Sequence, residues 1–509
     1  MLDALIIGAG PTGLTLAIEL AKRGLSVRII DQLERPMTQS RALGLQSRTL
    51  EIFEKMGLIH HFLKTGHKIE KLHLYLNKKT FLKLDLNFLE APYPFVLSIP
   101  QAQTEEILTN ALKNLGIEIE RGATLLELTH EEALVKHLDG SQEKIKAAWF
   151  FGCDGAHSTV RQCLNFPFEG KELPETFSLA DVEIETSLPS NEASIFLRKE
   201  GIIGFLPLPR SRWYRIIMSP QAETEDSLTL SSFQKIASKH VPIEMRLLQS
   251  EWITSFKIHR RLVPQMRKKN IFLLGDAAHI HSPVGGQGLN TSVQDAYNLS
   301  WKIALVHQNL GKEILLTSFQ AERHPIAKSV LQYTTAATHI LTSSSLLRGY
   351  LLRWLSPLIR CFFCCHFAQR KIALQVSEIG LSYKKSPIID ISDRKQSLKA
   401  GMRAPDALLP SGARLFTQMQ HPLHTLLCFG QIPEILSLVQ TRYSPTIRII
   451  TVDLSPPSPI HSIYHVTAPC CYLIRPDGYI SFHSDVKSVK SFFSYLKRIF
   501  EDQKSYSSI

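Results

Sequence analysis

The first thirty-one residues constrain this chain more than any other stretch. Leu2 to Ile7 is a short apolar run, the pattern of a buried parallel strand. Gly8-Ala-Gly-Pro-Thr-Gly13 follows, then an Ala/Leu-rich helical stretch to Arg23, ended by Gly24. Ser26 to Ile30 reads as a second strand, with Asp31 at its end. Each glycine has a job. Gly8 permits the tight turn, Gly10 lets the backbone approach a pyrophosphate, and Gly13 lets helix and strand pack closely. The helix N-terminus then turns free N–H groups and the positive end of its dipole toward the phosphates. Asp31, 23 residues past Gly8, can accept ribose hydroxyls and disfavours a 2′-phosphate. Strand, helix, second strand and terminal acid together support FAD or NAD, without choosing between them.

Two further motifs bear on that choice. Gly152-Cys-Asp154-Gly-Ala-His-Ser-Thr-Val-Arg161 follows an apolar strand, Ala147 to Phe151. An acid pinned between glycines at a strand end, with Ser and Arg a helical turn on, can order a loop beside a dinucleotide. The third segment begins with a strand, Asn270 to Leu274, then Gly275-Asp276-Ala-Ala-His279 and His281-Ser-Pro283-Val-Gly285-Gly286-Gln287-Gly288-Leu289-Asn290. A helix begins near Thr291 and carries Asp295, Asn298 and Trp301. Gly285, Gly286 and Gly288 allow a backbone that packs flat against a ring system. The helix N-terminus at Gly288-Leu289-Asn290 presents dipoles suited to a delocalised anion such as a reduced flavin. Asp276, at a strand end, can reach the ribityl or pyrophosphate side.

With these three motifs in this order, the chain resembles the FAD-dependent aromatic hydroxylases of the phenol hydroxylase and p-hydroxybenzoate hydroxylase type. Within them it is most similar to pentachlorophenol monooxygenase-like and hydroxyphenylpropionate hydroxylase-like members. The resemblance covers essentially the whole chain. It implies cofactor roles for Arg41 in Ser-Arg-Ala-Leu-Gly-Leu, for Gln101 in Ile-Pro-Gln-Ala-Gln-Thr-Glu, and for Asp154 and Arg161, which match a motif serving both FAD and NAD(P)H. Asp276, Pro283 and Gly285 to Asn290 match the family's flavin loop, although Ser282 stands where many members have a second proline.

The resemblance also implies an α/β architecture. A Rossmann-type FAD-binding domain is expected over 1–75, 100–175 and 268–325, with a β-sheet substrate domain inserted over 76–99 and 176–267. Residues 326–395 read as a helical segment. A C-terminal thioredoxin-like α/β domain is expected over 400–509, with a cis-proline at Ala468-Pro469. Only Cys428 lies after that unit's first strand, so no CxxC follows it, and the domain is expected to be architectural or to make subunit contacts. The substrate insert shows strand-like runs at Ala180–Glu185, Ile202–Leu206 and Trp213–Met218, punctuated by Pro207, Pro209 and Pro220.

Charge narrows the partners. The chain has a net charge of +12. Its basic residues are scattered and carry no nucleic-acid-binding motif, so no nucleic-acid partner is expected. Between Glu322 and Glu378 no acid occurs, while seven Lys and Arg residues do, and 346–367 within that stretch is strongly apolar. One reading is peripheral contact with an anionic membrane. The reading favoured is a core or homodimer-interface helix pair broken at Pro357, because the arginines form no clean polar face. Sparse cysteines and the lack of a signal peptide point to the cytoplasm.

The expected reaction follows from the resemblance. NADPH or NADH reduces FAD, O2 adds at flavin C4a, and the distal oxygen transfers to an activated aromatic ring. The cofactor carries the hard step, which explains why no nucleophile triad or metal constellation stands out. His279 and His281 are read as hydrogen-bonding groups inside the flavin loop, and no catalytic base is assigned. The absence of a second GxGxxG disfavours a two-dinucleotide reductase or a Baeyer–Villiger-type enzyme, and the five isolated tryptophans disfavour a flavin halogenase. A ubiquinone-pathway hydroxylase and a non-catalytic flavin-binding protein stay as alternatives.

Overall fold

The Leu2–Ile7 strand lies inside an eight-stranded sheet, parallel to Val27–Asp31 on one side and to Gln142–Gly152 on the other. Ile119–Arg121 extends the sheet past Val27–Asp31, and Ile271–Leu273 extends it past Gln142–Gly152, both in parallel. The three motifs thus leave the ends of parallel neighbouring strands, where an open α/β sheet binds its ligand. Helix Pro11–Ala21 is almost wholly buried, packed between this sheet and the Gly288–His307 helix. The structure is a computed structural model and describes residues 1–38, 42–76, 79–198, 201–219, 228–282, 285–342, 365–390, 398–485 and 489–501. Arg41, Pro283 and 346–364 of the basic apolar run lie outside the described residues.

A second eight-stranded sheet roofs the first domain. Its order is His279–Ile280, Met245–Leu262, Glu169–Thr186, Trp213–Ser219, Ile202–Pro207, Glu192–Leu197, Lys71–Leu76, Lys79–Asp85. The flavin-loop segment His279–Ile280 therefore pairs directly with the roof. The roof is larger than the sequence reading, since 71–75 and 169–175 belong to it rather than to the FAD domain. Lys71 to Leu76 alternates polar and apolar residues as a half-buried strand should. Glu169–Thr186 is one strand of 18 residues, with a register shift against its neighbour between Glu172 and Thr176.

The helix Ile314–Thr342 runs through Pro325 and so through the expected boundary at 325/326. Among the described residues, no helix is long and apolar enough to cross a membrane. Beyond it, His424–Phe429 pairs in parallel with Ile447–Val452 and antiparallel with Cys470–Ile474, which pairs antiparallel with Ile480–Asp485. Helices Pro433–Arg442 and Val489–Ile499 bury Ile435, Val439, Phe492 and Leu496 in a core shared with Trp301 and Leu315 of the first domain. This C-terminal unit is therefore fused to its neighbour. Cys428 and Cys471 oppose each other across its sheet as free, buried thiols. Burial pushes Cys428 up to about 12 and Cys471 well above its ordinary value, which suppresses thiolate chemistry. One expectation is corrected. Ala468-Pro469 is not cis, and the cis bond among the described residues is Ser455-Pro456. The Pro469 ring packs over the Gly430 turn, 3.3 Å from where a Cβ would stand there, and no dithiol loop occupies that place.

Candidate active site

The glycine-rich turn shows which of its glycines the protein needs for itself. Gly8 has a φ of +103°, and a Cβ on it would fall 2.3 Å from the Cys153 carbonyl oxygen. A Cβ on Gly13 would fall 1.9 Å from the Gly8 oxygen. Both are dictated by strand–helix packing. Gly10 is not, since a Cβ there meets nothing within 4 Å. The space is open at the one position where a pyrophosphate has to come close, so the residues fit a dinucleotide. Asp31 stabilises the turn from the side: Oδ2 accepts from the Ala9 N–H at 2.7 Å and Oδ1 from the Leu33 N–H at 2.8 Å. Arg121 stands 3.9 Å away. Gln101 opens the helix Gln101–Lys113 and donates to Glu105 at 2.7 Å, and burial raises the Glu105 carboxyl.

Asp154 and Arg161 organise the second loop. Asp154 Oδ2 accepts from the Val160 N–H at 3.1 Å, while Oδ1 is buried without a partner and burial raises the carboxyl. Arg161 donates to the carbonyls of Ala156 at 2.9 Å and Ala277 at 3.0 Å, with its guanidinium 3.9 Å over the Phe168 ring. It ties the second loop to the third. Of the two, Asp154 keeps an unused acceptor.

The third loop is latched from outside its own motif. The Asn290 side chain is fully buried. It accepts from the Gln46 N–H at 2.8 Å and donates to the carbonyls of Gly44 at 2.9 Å and Gly286 at 2.6 Å. Gln46 Nε2 donates to the Gly285 carbonyl at 3.1 Å. Gly285 and Gly286 have φ of 87° and 63° and face solvent. Gln287 turns away and donates to the Val376 carbonyl at 3.1 Å, while Leu289 packs on the domain core. Gly288 begins the helix Gly288–His307, whose N-terminal N–H groups come up behind the exposed glycines. Asp276 is open to solvent, yet protein surrounds its carboxyl closely enough to raise its pKa.

Under the loop lies a buried cluster of polar side chains. His279 Nε2 is 2.7 Å from Asp295 Oδ2, and Arg323 Nε donates to Asp295 Oδ1 at 2.7 Å. Arg323 also reaches the Thr291 carbonyl at 3.1 Å and the Tyr383 hydroxyl at 3.2 Å. Burial opposes the Asp295 charge, but Arg323 and His279 hold its carboxyl below the usual range. His281 is pushed down to about 4 by burial and stays neutral, and its Nδ1–H donates to the Ser282 carbonyl at 3.1 Å. The expectation of bonding within the loop describes His281, while His279 leaves the loop for the following helix. Sequence reasoning missed Gln46, Arg323 and Glu378. Glu378 is buried, accepts from Thr291 Oγ1 at 3.3 Å and from Gln294 Nε2, and is pushed up to about 8 by burial. None of the three sits at a motif spacing.

Known proteins share this arrangement. Residues 1–334 match the FAD binding domain family. The chain is 32% identical to a flavin-dependent monooxygenase of Mycobacteroides abscessus, over 98% of this chain and 100% of that protein. It is also 32% identical to pentachlorophenol 4-monooxygenase of Sphingobium chlorophenolicum, over 83% of this chain and 79% of that protein. The fold matches OxyS anhydrotetracycline hydroxylase from Streptomyces rimosus with a TM-score of 0.80 at 26% identity, covering 99% of each chain. The family match runs from the first strand into the helix that carries Arg323, taking in all three glycine-bearing motifs, and the chain belongs to the FAD-binding family of flavin-dependent monooxygenases.

Proposed function

We propose that the protein hydroxylates a phenolic or other aromatic substrate in the cytoplasm, consuming O2 and NADH or NADPH. The observation that carries this reading is the pairing of an open cradle at Gly10 with a pre-latched, exposed Gly285-Gly286 loop under a β-sheet roof. Bound FAD supplies the electron transfer and oxygen activation that side chains cannot. The chain supplies the rest. Gly8, Gly10 and Gly13 and the N-terminus of Pro11–Ala21 hold the pyrophosphate. Asp31, Arg41 and Gln101 serve the adenosine end. Asp154, with its free acceptor, and Arg161 order the second loop, Asp276 serves the ribityl or pyrophosphate side, and Pro283 belongs with the flavin loop. Gly285, Gly286, Gln287, Gly288, Leu289 and Asn290 form the platform for the ring system, with the Gly288–His307 dipole behind it. The roof keeps water from the reacting face, which protects the oxygen transfer from unproductive release of peroxide.

We read the C-terminal unit as thioredoxin-like in strand order and architectural in role, since its opposed thiols are buried and protonated. The test is direct. Purified protein should be yellow, and a phenol panel should accelerate NADPH oxidation and yield a product heavier by one oxygen. A colourless protein that stays empty after soaking with FAD would sink the reading.

A further inference from the structure

Three elements from distant parts of the chain close on one small cavity. The helix Ser47–Lys55 contributes Arg48, the helix Gly288–His307 contributes Gln294 and Asn298, and the C-terminal hairpin contributes Asp477 and Tyr479. Both helices begin at the flavin-loop latch. Gln46 caps the first, and its N–H donates to Asn290 in the first turn of the second.

Most polar groups around this cavity are matched. Arg48 donates from Nη1 to Glu51 Oε2 at 2.8 Å and from Nη2 to the Asp477 carbonyl. Gln294 Nε2 donates to Glu378 Oε2. Asn298 Nδ2 donates to Glu322 at 2.8 Å and to Asp477 at 3.1 Å, and Arg475 Nε donates to Asp477 Oδ1 at 2.9 Å. Three atoms are left over. Among the described residues, Arg48 Nε, Gln294 Oε1 and the Tyr479 hydroxyl are buried without a hydrogen-bond partner. Arg48 is 1% exposed, Gln294 3% and Tyr479 2%, so bulk solvent does not serve them. One leftover atom comes from each of the three elements. Leaving buried polar atoms bare costs more than immobilising a water that bonds to them.

Size and charge define the occupant. The cavity has room for about one water molecule, which excludes an organic ligand. The charged groups lining it are already paired, Arg48 with Glu51 and Asp477 with Arg475, which favours a neutral guest over an ion. The leftover atoms are one donor, one acceptor and one hydroxyl that can be either. A water accepts from Arg48 Nε–H, donates to Gln294 Oε1 and takes either role with Tyr479. That makes three hydrogen bonds, the usual number for a buried water.

We propose that one buried water molecule is a structural ligand of this protein, joining the two helices of the flavin-loop latch to the C-terminal hairpin through Arg48, Gln294 and Tyr479. Tyr479→Phe removes only the hydroxyl and keeps the ring that packs on Arg48 and Tyr383. With the water bound, the variant loses a hydrogen bond, and the equilibrium constant for urea unfolding of the whole chain should rise roughly threefold or more. A dry cavity predicts the opposite sign, because the variant then sheds a stranded hydroxyl and unfolds less readily. A crystal structure of the FAD-loaded enzyme at about 2 Å resolution should show one water within about 3.2 Å of all three atoms. The diffraction result decides the matter should Tyr479→Phe fail to fold. An empty site, an anomalous peak marking chloride there, or an unfolding constant that rises less than about threefold or falls in the variant overturns the assignment.

Discussion

Arg475 of the C-terminal hairpin grips Glu322 of the Ile314–Thr342 helix with two parallel bonds, Nη1 to Oε1 at 2.6 Å and Nη2 to Oε2 at 2.9 Å. Both side chains are buried, and Lys302 approaches the same carboxylate at 2.7 Å. Asp477 completes the cluster by joining Arg475 to Asn298 on the Gly288–His307 helix. The C-terminal unit is thus bound to the helix that begins at the flavin loop.

Removing one partner of a buried pair strands the other charge. Arg475→Ala should cost about 3–5 kcal/mol in urea unfolding of the whole chain. Arg475→Lys should recover only part of that, because an ammonium cannot make the bidentate contact. A loss within about 0.5 kcal/mol for Arg475→Ala would show that the cluster does not hold the units together.

Glu378 predicts a pH signature. Burial pushes its carboxyl from an ordinary 4.5 up to about 8. The folded chain therefore keeps a proton that the unfolded chain releases between those values. Its stabilising contribution is complete below about pH 4.5 and is lost as pH rises toward about 8, with a slope of up to about 1.4 kcal/mol per pH unit. Glu378→Gln removes the titration, so the variant should gain on wild type as pH rises across that window. Parallel stability–pH curves would contradict the assignment.

The two neighbouring glycines should fail differently. Gly13→Ala forces a Cβ to within 1.9 Å of the Gly8 oxygen, and should destabilise even the apoprotein by ~1–3 kcal/mol. Gly10→Ala puts its methyl into open space. It should leave the apoprotein within about 0.5 kcal/mol of wild type but lower FAD affinity at least tenfold. Thermal melts with and without FAD separate the two. Equal flavin affinity in Gly10→Ala would move the pyrophosphate elsewhere.

Asp276 follows the Ile271–Leu273 strand and faces solvent. Asp276→Ala should abolish FAD retention on gel filtration while changing apoprotein stability by no more than about 0.5 kcal/mol. Normal flavin content in the variant would remove Asp276 from the site.

The legible parts of this protein are the local ones. The strand Leu2–Ile7 has the bounds read from its apolar run, because a buried strand announces itself residue by residue. The glycine turn was readable because Gly8, Gly10, Gly13 and Asp31 act within one strand–helix–strand unit. The apolar run Ile202 to Leu206 reads as a strand, and it is one. What that run could not mark is that Gly204 lies in register with Ile195 and Ile217 of its two neighbours.

The same division runs through the site. The sequence alone determined where the backbone can turn tightly enough to admit a dinucleotide, since that depends on side chains missing from a few adjacent positions. Tertiary structure decided what holds those turns in shape. Gln46 reaches Asn290 across 244 residues of chain, and Arg475 reaches Glu322 across 153. Such partners have no characteristic spacing. Hydrogen bonds and buried charges act over about 3 Å in space, and only packing decides which distant residues come that close.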